Sequence, residues 1–340
     1  MPFPYPTPHT PLPIPHSPYL ILYSLLLTCS SLLAQQTPQY SLYMLNPYAY
    51  NPAYAGLENT LVATGVYRQQ WSNLEGAPIS QHVNAHLPVY AINSGVGIKI
   101  DNDAIGAHRA TQVALSYNYQ INVGRKGLLS AGVSAGYLQY ALDGAKLRAP
   151  EGTYDAPNGV FQHNDPLLPE GNVTAGTPIV EAGLWAALGR LNVGVAVQPV
   201  FAPRLEASNG GFRLKPVEQL IIQGDYRFGS PEGVTVRPSF LVKSDIIETQ
   251  VEISSVVQWQ ENIFAGASYR GPGANSRDAM SILGGFHLNE KTTLAYGYDI
   301  PLSALRDVHR GSHELLLRYS LNKPIGVGKL PPVIYNPRFF

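Results

Sequence analysis

The chain carries a single cysteine, Cys29, close to its N-terminus. One thiol excludes an internal disulfide framework and any cysteine-based metal cluster. Charge is scarce as well: Asp, Glu, Lys and Arg make up 14% of the residues, the net charge is zero and the pI is near 7.1. Such a balance lacks the electrostatic footprint of a nucleic-acid binder, so no nucleic-acid partner is expected. Arg68 is the first Lys or Arg. Beyond residue 35 no run of about 18 consecutive apolar residues occurs, which excludes a helical membrane domain there. A mean hydropathy of -0.05 also fits neither that class nor a strongly charged soluble protein.

What the chain has instead is glycine, 32 residues of it, 21 tyrosines and a strict two-residue alternation. Between Ala110 and Ala141, Val113, Leu115, Tyr117, Tyr119, Ile121 and Val123 alternate with Gln112, Ala114, Ser116, Asn118, Gln120 and Asn122. A turn, Gly124-Arg125-Lys126-Gly127, leads to a second run with Leu129, Ala131, Val133, Ala135 and Tyr137 on one face and Ser130, Gly132, Ser134 and Gly136 on the other. Successive side chains of a strand point to opposite faces, so this is a hairpin with one apolar face. Its strands reach the roughly ten residues that a tilted strand needs to cross a bilayer.

The same pattern recurs in about fourteen runs. They start near Thr60, Ile79, Ser94, Ala110, Leu128, Ile179, Leu191, Leu220, Thr235, Thr249, Ile263, Met280, Thr292 and Ser312. Charge keeps to the face opposite the apolar one, as at Arg237, Lys243, Glu252, Arg270 and Glu314. Alternation is shared by barrels and soluble sandwiches, but the connections discriminate. Links after even runs are short, as at Gly189-Arg190 and Asn289-Glu290-Lys291, whereas Asp143 to Thr177 and Phe201 to Glu218 after odd runs are long. The expected fold is all-β: a transmembrane antiparallel up-and-down β-barrel of about 14 strands in the outer membrane, with an irregular N-terminal segment and a short periplasmic C-terminal tail. Short turns and both chain ends belong on the periplasmic side. Two features cut across the pattern, the short outer loop Ser244 to Glu248 and Pro238 inside a strand of a barrel that has no free edge.

The ends divide from this body by composition. Residues 1–34 read as a secretory signal, Pro-rich and without a basic n-region, with an apolar core from Tyr19 to Leu27 and cleavage after Ala34. Leu27-Thr28 before Cys29 make a poor lipobox. Residues 35–59 have no period but are dense in tyrosine, Asn46-Pro47 and Asn51-Pro52, and are expected to be ordered, irregular and outside the sheet. The barrel spans 60–322, and 323–340 form a basic, Pro-rich tail.

Familiar chemistry is missing, and no catalytic residue, cofactor or metal is assigned. Gly132-Val133-Ser134-Ala135-Gly136 has the spacing of a hydrolase elbow but lies mid-strand, not on a strand-to-helix turn. Asp101-Asn102-Asp103 with Gly106 begins like a calcium loop, but Ile105 and Gln112 stand at ligand positions, so a plain loop turn is expected. His313-Glu314 lacks the second histidine of a zincin. His82 and His86 lie on one polar face about 13 Å apart, too far to share an ion, and read as solvated lumen residues. The inward charges either line a pore or form an ion-paired plug.

The run from Ser41 to Gly56, Ser-Leu-Tyr-Met-Leu-Asn-Pro-Tyr-Ala-Tyr-Asn-Pro-Ala-Tyr-Ala-Gly, resembles the opening signature of the PorP/SprF family of the type IX secretion system. Tyr67-Arg68-Gln69-Gln70-Trp71 with Gly76-Ala77-Pro78, Asp101 to Gly106, Tyr296 to Asp299, Gly311-Ser312-His313-Glu314 and the closing Pro337-Arg338-Phe339-Phe340 are similar too. The resemblance implies a non-enzymatic outer-membrane barrel of a secretion and gliding machine. Its implied partners are a secreted surface adhesin-like protein, periplasmic components of the apparatus and outer-membrane lipid. The motif positions singled out are Asn46, Pro47, Asn51, Pro52, Ala53 and Gly56, which would order the N-terminal segment, Arg68 and Trp71 near the first strand's outer end, and Pro78, Asp101, Asp103, Gly106, His313 and Glu314. Two other readings compete: a diffusion channel for small or hydrophobic solutes, and a soluble periplasmic sandwich.

Overall fold

The computed structural model describes residues 38–124, 126–155, 160–207, 212–230, 233–245, 247–260, 262–271, 279–302 and 309–323. The leader with Cys29, Arg125 and the tail beyond Lys323 lie outside the described residues.

The alternating runs form strands β1 (Val62–Gln69), β2 (Ile79–Val89), β3 (Ser94–Ile105), β4 (His108–Val123), β5 (Gly127–Asp143), β6 (Asn172–Leu188) and β7 (Leu191–Phe201). The second half adds β8 (Gln219–Tyr226), β9 (Val234–Ser244), β10 (Thr249–Trp259), β11 (Ile263–Arg270), β12 (Ala279–His287), β13 (Thr292–Pro301) and β14 (Ser312–Ser320). Each pairs antiparallel with the next, and β14 returns to β1 with Ser320 opposite Val62 and His313 opposite Gln69. The sheet is a closed barrel of fourteen strands.

The two faces separate as the alternation requires. On β4, Val113, Leu115, Tyr117, Tyr119 and Ile121 are exposed, Leu115 by 63%, while Ser116 and Asn118 between them are buried. The same holds on β14, where Leu315, Leu317 and Tyr319 face out and Glu314, Leu316 and Arg318 face in. A continuous apolar surface of this kind would be a liability in water and is the lipid-facing band of an outer-membrane barrel.

Thirteen strands begin within two residues of the expected positions. The sixth does not. It begins at Asn172, not Ile179, because β5 and β6 stay paired up to Asp143 opposite Asn172, past the point where Phe201 of β7 last pairs with Val180. Asp101 to Ile105 likewise lie on β3, and only Gly106-Ala107 make the turn, so the expected loop there is strand. That two-residue link and residues 245–248 are the short connections at the end of the barrel where residues 70–78, 144–171 and 202–218 form long ones. We term it the loop end, and the opposite one the turn end.

Pro238 is accommodated without loss. Gln260 N donates to Gly233 O, which puts the odd residues of β9 against β10 and the Pro238 ring toward β8. There the ladder is already interrupted, ending at Asp225 opposite Ser239 and resuming at Phe228 opposite Val236. The missing donor falls in the gap.

Residues 38–60 contain no strand. Three short 3-10 turns, Tyr43–Leu45, Pro47–Ala49 and Pro52–Tyr54, carry them through the lumen. Pro47 and Pro52 each open a turn, where a backbone donor has no partner inside the turn. The segment starts at the loop end, where Lys243 Nζ donates to Pro38 O at 3.4 Å, and leaves at the turn end, where Thr60 Oγ1 donates to Lys323 O at 3.0 Å. Of the described chain, Lys323 is therefore on the turn side and Pro38 is not.

The lipid face yields a direct test. Leu115→Arg, mid-strand on β4, is expected to lower stability by about 2–4 kcal/mol, read from denaturant unfolding in lipid vesicles, whereas Leu115→Phe should leave the midpoint nearly unchanged.

Candidate functional site

The lumen has two unlike halves, and the N-terminal segment matches each in turn. Strands β8 to β14 and β1 turn apolar side chains inward, among them Val66, Ile221, Leu241, Val256, Phe264, Leu283 and Leu316. Against them pack Tyr40, Leu42, Tyr43, Met44 and Leu45, all buried. Strands β3 to β7 offer several glycines and small polar residues, with Leu128 and Trp185 packing on Ala53, Tyr54 and Leu57. A Cβ on Gly132 would lie 2.6 Å from the Ala53 backbone, and one on Gly95 or Gly183 would run into Ala55 O or Asn51 Oδ1. At these three positions the wall has no side chain, and the segment's backbone or Asn51 takes the space.

Hydrogen bonds fix the register. Asn51 Oδ1 accepts from Ala53 N at 2.9 Å, closing the turn, while its Nδ2 donates to Leu184 O on β6 at 2.9 Å and Val195 O on β7 at 3.2 Å. Asn118 Nδ2 on β4 donates to Ala55 O at 2.6 Å and Ala53 O at 3.1 Å, and Ser130 Oγ on β5 donates to Ala53 O at 2.7 Å. Gly56 N–H donates to His86 Nδ1 at 3.1 Å. Gly56 has φ +72°, and any Cβ there would meet Leu87 O at 2.7 Å, so glycine is required on both counts.

Charge gathers where the segment enters. Arg68 on β1 contacts Asp299 on β13 at 2.5 Å and Glu314 on β14 at 3.0 Å, all three almost completely buried. Arg270 on β11 contacts Glu252 on β10 at 2.9 Å and Asp299 at 3.5 Å. Ser41 sits between them: its N–H donates to Glu314 at 2.7 Å, its hydroxyl donates to Asp299 at 2.7 Å, and it accepts from Arg68 and Arg270 at 3.0 Å each. Leu42 N also donates to Glu314, at 3.1 Å. At the other end Arg318 pairs with Glu58 and donates to Leu45 O at 2.9 Å. Between the two, Lys99 meets Glu181 at 2.8 Å and Arg237 meets Asp225 at 2.7 Å. Buried charges are tolerated when paired and hydrogen-bonded, and these are. The inward charges are thus ion-paired, and Ser41 and Glu58 of the segment take part in the pairing.

Residues 32–319 match the family described as type IX secretion system membrane protein PorP/SprF. The chain belongs to the PorP/SprF family. Among solved structures it is similar to the CymD monoaromatic hydrocarbon channel, at 14% identity, TM-score 0.48 and coverage of 84% of this chain and 94% of that one. The toluene transporter TbuX of Ralstonia pickettii is similar at 14% identity and TM-score 0.47, covering 80% and 92%. Omp33 of Acinetobacter baumannii is similar at 8% identity and TM-score 0.44, covering 78% and 100%. No curated protein matches the chain.

In this PorP/SprF protein the motif residues divide into those the fold gathers and those it does not. Asn46, Pro47, Asn51, Pro52, Ala53 and Gly56 lie in the lumen: Asn46 Oδ1 accepts from Asn84 Nδ2 at 2.8 Å, and Pro47 O accepts from Gln223 at 3.2 Å. Asp101 joins this chain of contacts through His82, whose Nδ1 is 2.6 Å from Asp101 and whose Nε2 is 2.7 Å from Asn84. Asp103 bonds Ser80. His82 and His86 are 1–2% exposed rather than solvated, because the segment covers them. Glu314 meets Arg68, but its neighbour His313 points to the opposite face, where Tyr296 Oη lies 2.6 Å from its Nδ1. Trp71 is just past β1 at the loop end, with its N–H donating to Ser312 Oγ at 3.3 Å. Pro78 O accepts from Gln70 N at 2.9 Å, and Gly106 N donates to Gly76 O at 2.9 Å, so both serve loop closure.

Sequence reading singled out Arg68 and Glu314 but not Ser41, Glu58, Glu181 or Asp299 as their kind. Inward parity marks Glu181 and Asp299 as candidates, whereas Ser41 and Glu58 sit in the aperiodic segment and carry no such mark. Arg68→Met would strand Asp299 and Glu314, and a loss of about 3–5 kcal/mol is expected from removing one partner of a buried ion pair, measured as the shift in unfolding midpoint.

Proposed function

We propose that this protein is a sealed, non-enzymatic scaffold of the type IX secretion and gliding machinery. Its loop end faces the cell exterior and supports export or surface attachment of a secreted adhesin-like partner. Its turn end and basic tail face the periplasm and link to periplasmic components of the apparatus. The observation that carries this reading is the lumen filled from Pro38 to Thr60 and pinned at the loop end by Ser41, Arg68, Asp299 and Glu314. A diffusion channel needs an open path. Here the segment crosses the whole lumen, and its partners come from strands all round the wall. The motif residues Asn46, Pro47, Asn51, Pro52, Ala53 and Gly56 then act by holding the plug, and Asp101, Asp103, Arg68 and Glu314 by receiving it.

Planar-bilayer recordings distinguish scaffold from channel. The native protein should show no discrete conductance, while Gly132→Leu, which has no room over Ala53, should unseat the segment and open steps; steady opening of the native barrel would favour the channel. Removing residues 324–340 should leave membrane insertion intact and reduce co-purification of periplasmic components, and loss of insertion would defeat the role given to the tail.

A further inference from the structure

At the loop end the barrel wall is uneven, because β6 projects beyond β7. From Val180 onward β6 has a neighbour on each side, but from Asn172 to Ile179 only β5 pairs with it among the described strands. Gly144 N donates to Gly171 O at 3.2 Å, so Val173, Ala175 and Thr177 exchange their bonds with β5. The N–H and C=O groups of Asn172, Thr174 and Gly176 point the other way. Among the described residues no backbone donor or acceptor meets those of Thr174 or Gly176.

Exposed edges in natural sheets are usually blunted by charge, proline or a bulge. Asn172-Val173-Thr174-Ala175-Gly176-Thr177 carries no charge or proline and three β-branched residues; Pro178 and the bulge between Val180 and Ala182 bound it on the side of β7. The inward face of this stretch is already taken, since Val173 and Ala175 are buried against Leu205, Phe212 and Leu214 of the loop after β7. Among the described residues, the plane of the sheet stays open. We infer that the edge from Asn172 to Thr177 is a β-augmentation site for an extended segment of a secreted polypeptide, about 20 Å or six residues long. The inference rests on the export reading above and names the contact through which a partner is held.

A second copy of the chain does not suit the edge. Two copies in one membrane stand in the same direction, and a two-fold axis along the membrane normal would set Thr174 at the same height as its counterpart. A parallel ladder needs an offset, so donor would face donor. A free segment has no such restriction.

A photoreactive side chain in place of exposed Asn172, in otherwise native cells, tests the assignment, with the same probe at exposed Leu167 on the neighbouring loop as reference. The expected product is an adduct with a secreted polypeptide at residue 172. Thr174→Pro removes an N–H that faces the edge and spares the ladder to β5, so it should cut that adduct roughly tenfold, the effect of about one or two backbone hydrogen bonds. Thr174→Val keeps the N–H and should keep the adduct, and the folded mobility of both variants on cold gels checks the barrel. Adducts at Leu167 alone, or at 172 but indifferent to Thr174→Pro, would overturn the edge assignment and leave the export reading standing. An adduct with a second copy of the chain would also overturn it. Absence of any secreted polypeptide at either position would overturn the export reading and the edge with it.

Discussion

A charge buried beneath the segment that fills this barrel must find its partner there, because its surface is covered on all sides. This requirement organises the molecule. Arg68, Arg270, Asp299, Glu314 and Glu252 come from five different strands, and the group they form is completed by the hydroxyl and N–H of Ser41. Pairing alone seldom stabilises a fold relative to apolar packing, but breaking a buried pair is costly. The network therefore acts as a specificity device: it fixes where the N-terminal segment enters and which strands surround it.

The wall and the segment are complementary in shape as well as charge. Glycines at Gly95, Gly132 and Gly183 leave room on one side, and apolar side chains such as Phe264 and Leu316 grip the tyrosines and leucines on the other. Two Asn-Pro pairs suit such a path, since the prolines need no donor partner at the start of a turn and Asn51 supplies bonds to its own turn and to two strands.

Much of this was legible in the residues. Alternation located the strands, because a closed sheet with lipid on one face leaves each residue one acceptable side. The sixth strand escaped, since Asn172 to Pro178 run past the end of β7 and their outward residues Asn172, Thr174 and Gly176 are not apolar. The inward position of Glu314 followed from parity, whereas His313, which the motif joins to it, lies on the opposite face. Ser41 and Glu58 were hidden for a different reason. Their partners are separated from them by more than two hundred residues, Ser41 from Glu314 by 273 and Glu58 from Arg318 by 260, and an aperiodic segment gives no rule for which side chain points where.

The central claim is that residues 38–60 are a permanent part of the barrel, not a visitor to it. Hydrogen–deuterium exchange in intact outer membranes addresses it most directly, because the amides of Ser41, Leu42 and Ala53 are bonded within the lumen. Protection of these three comparable to that of β4 and β5, persisting for hours, is the result the account predicts. Exchange within seconds to minutes while the strands stay protected would show that the segment leaves the lumen, and the sealed scaffold would have to be given up for a gated pore.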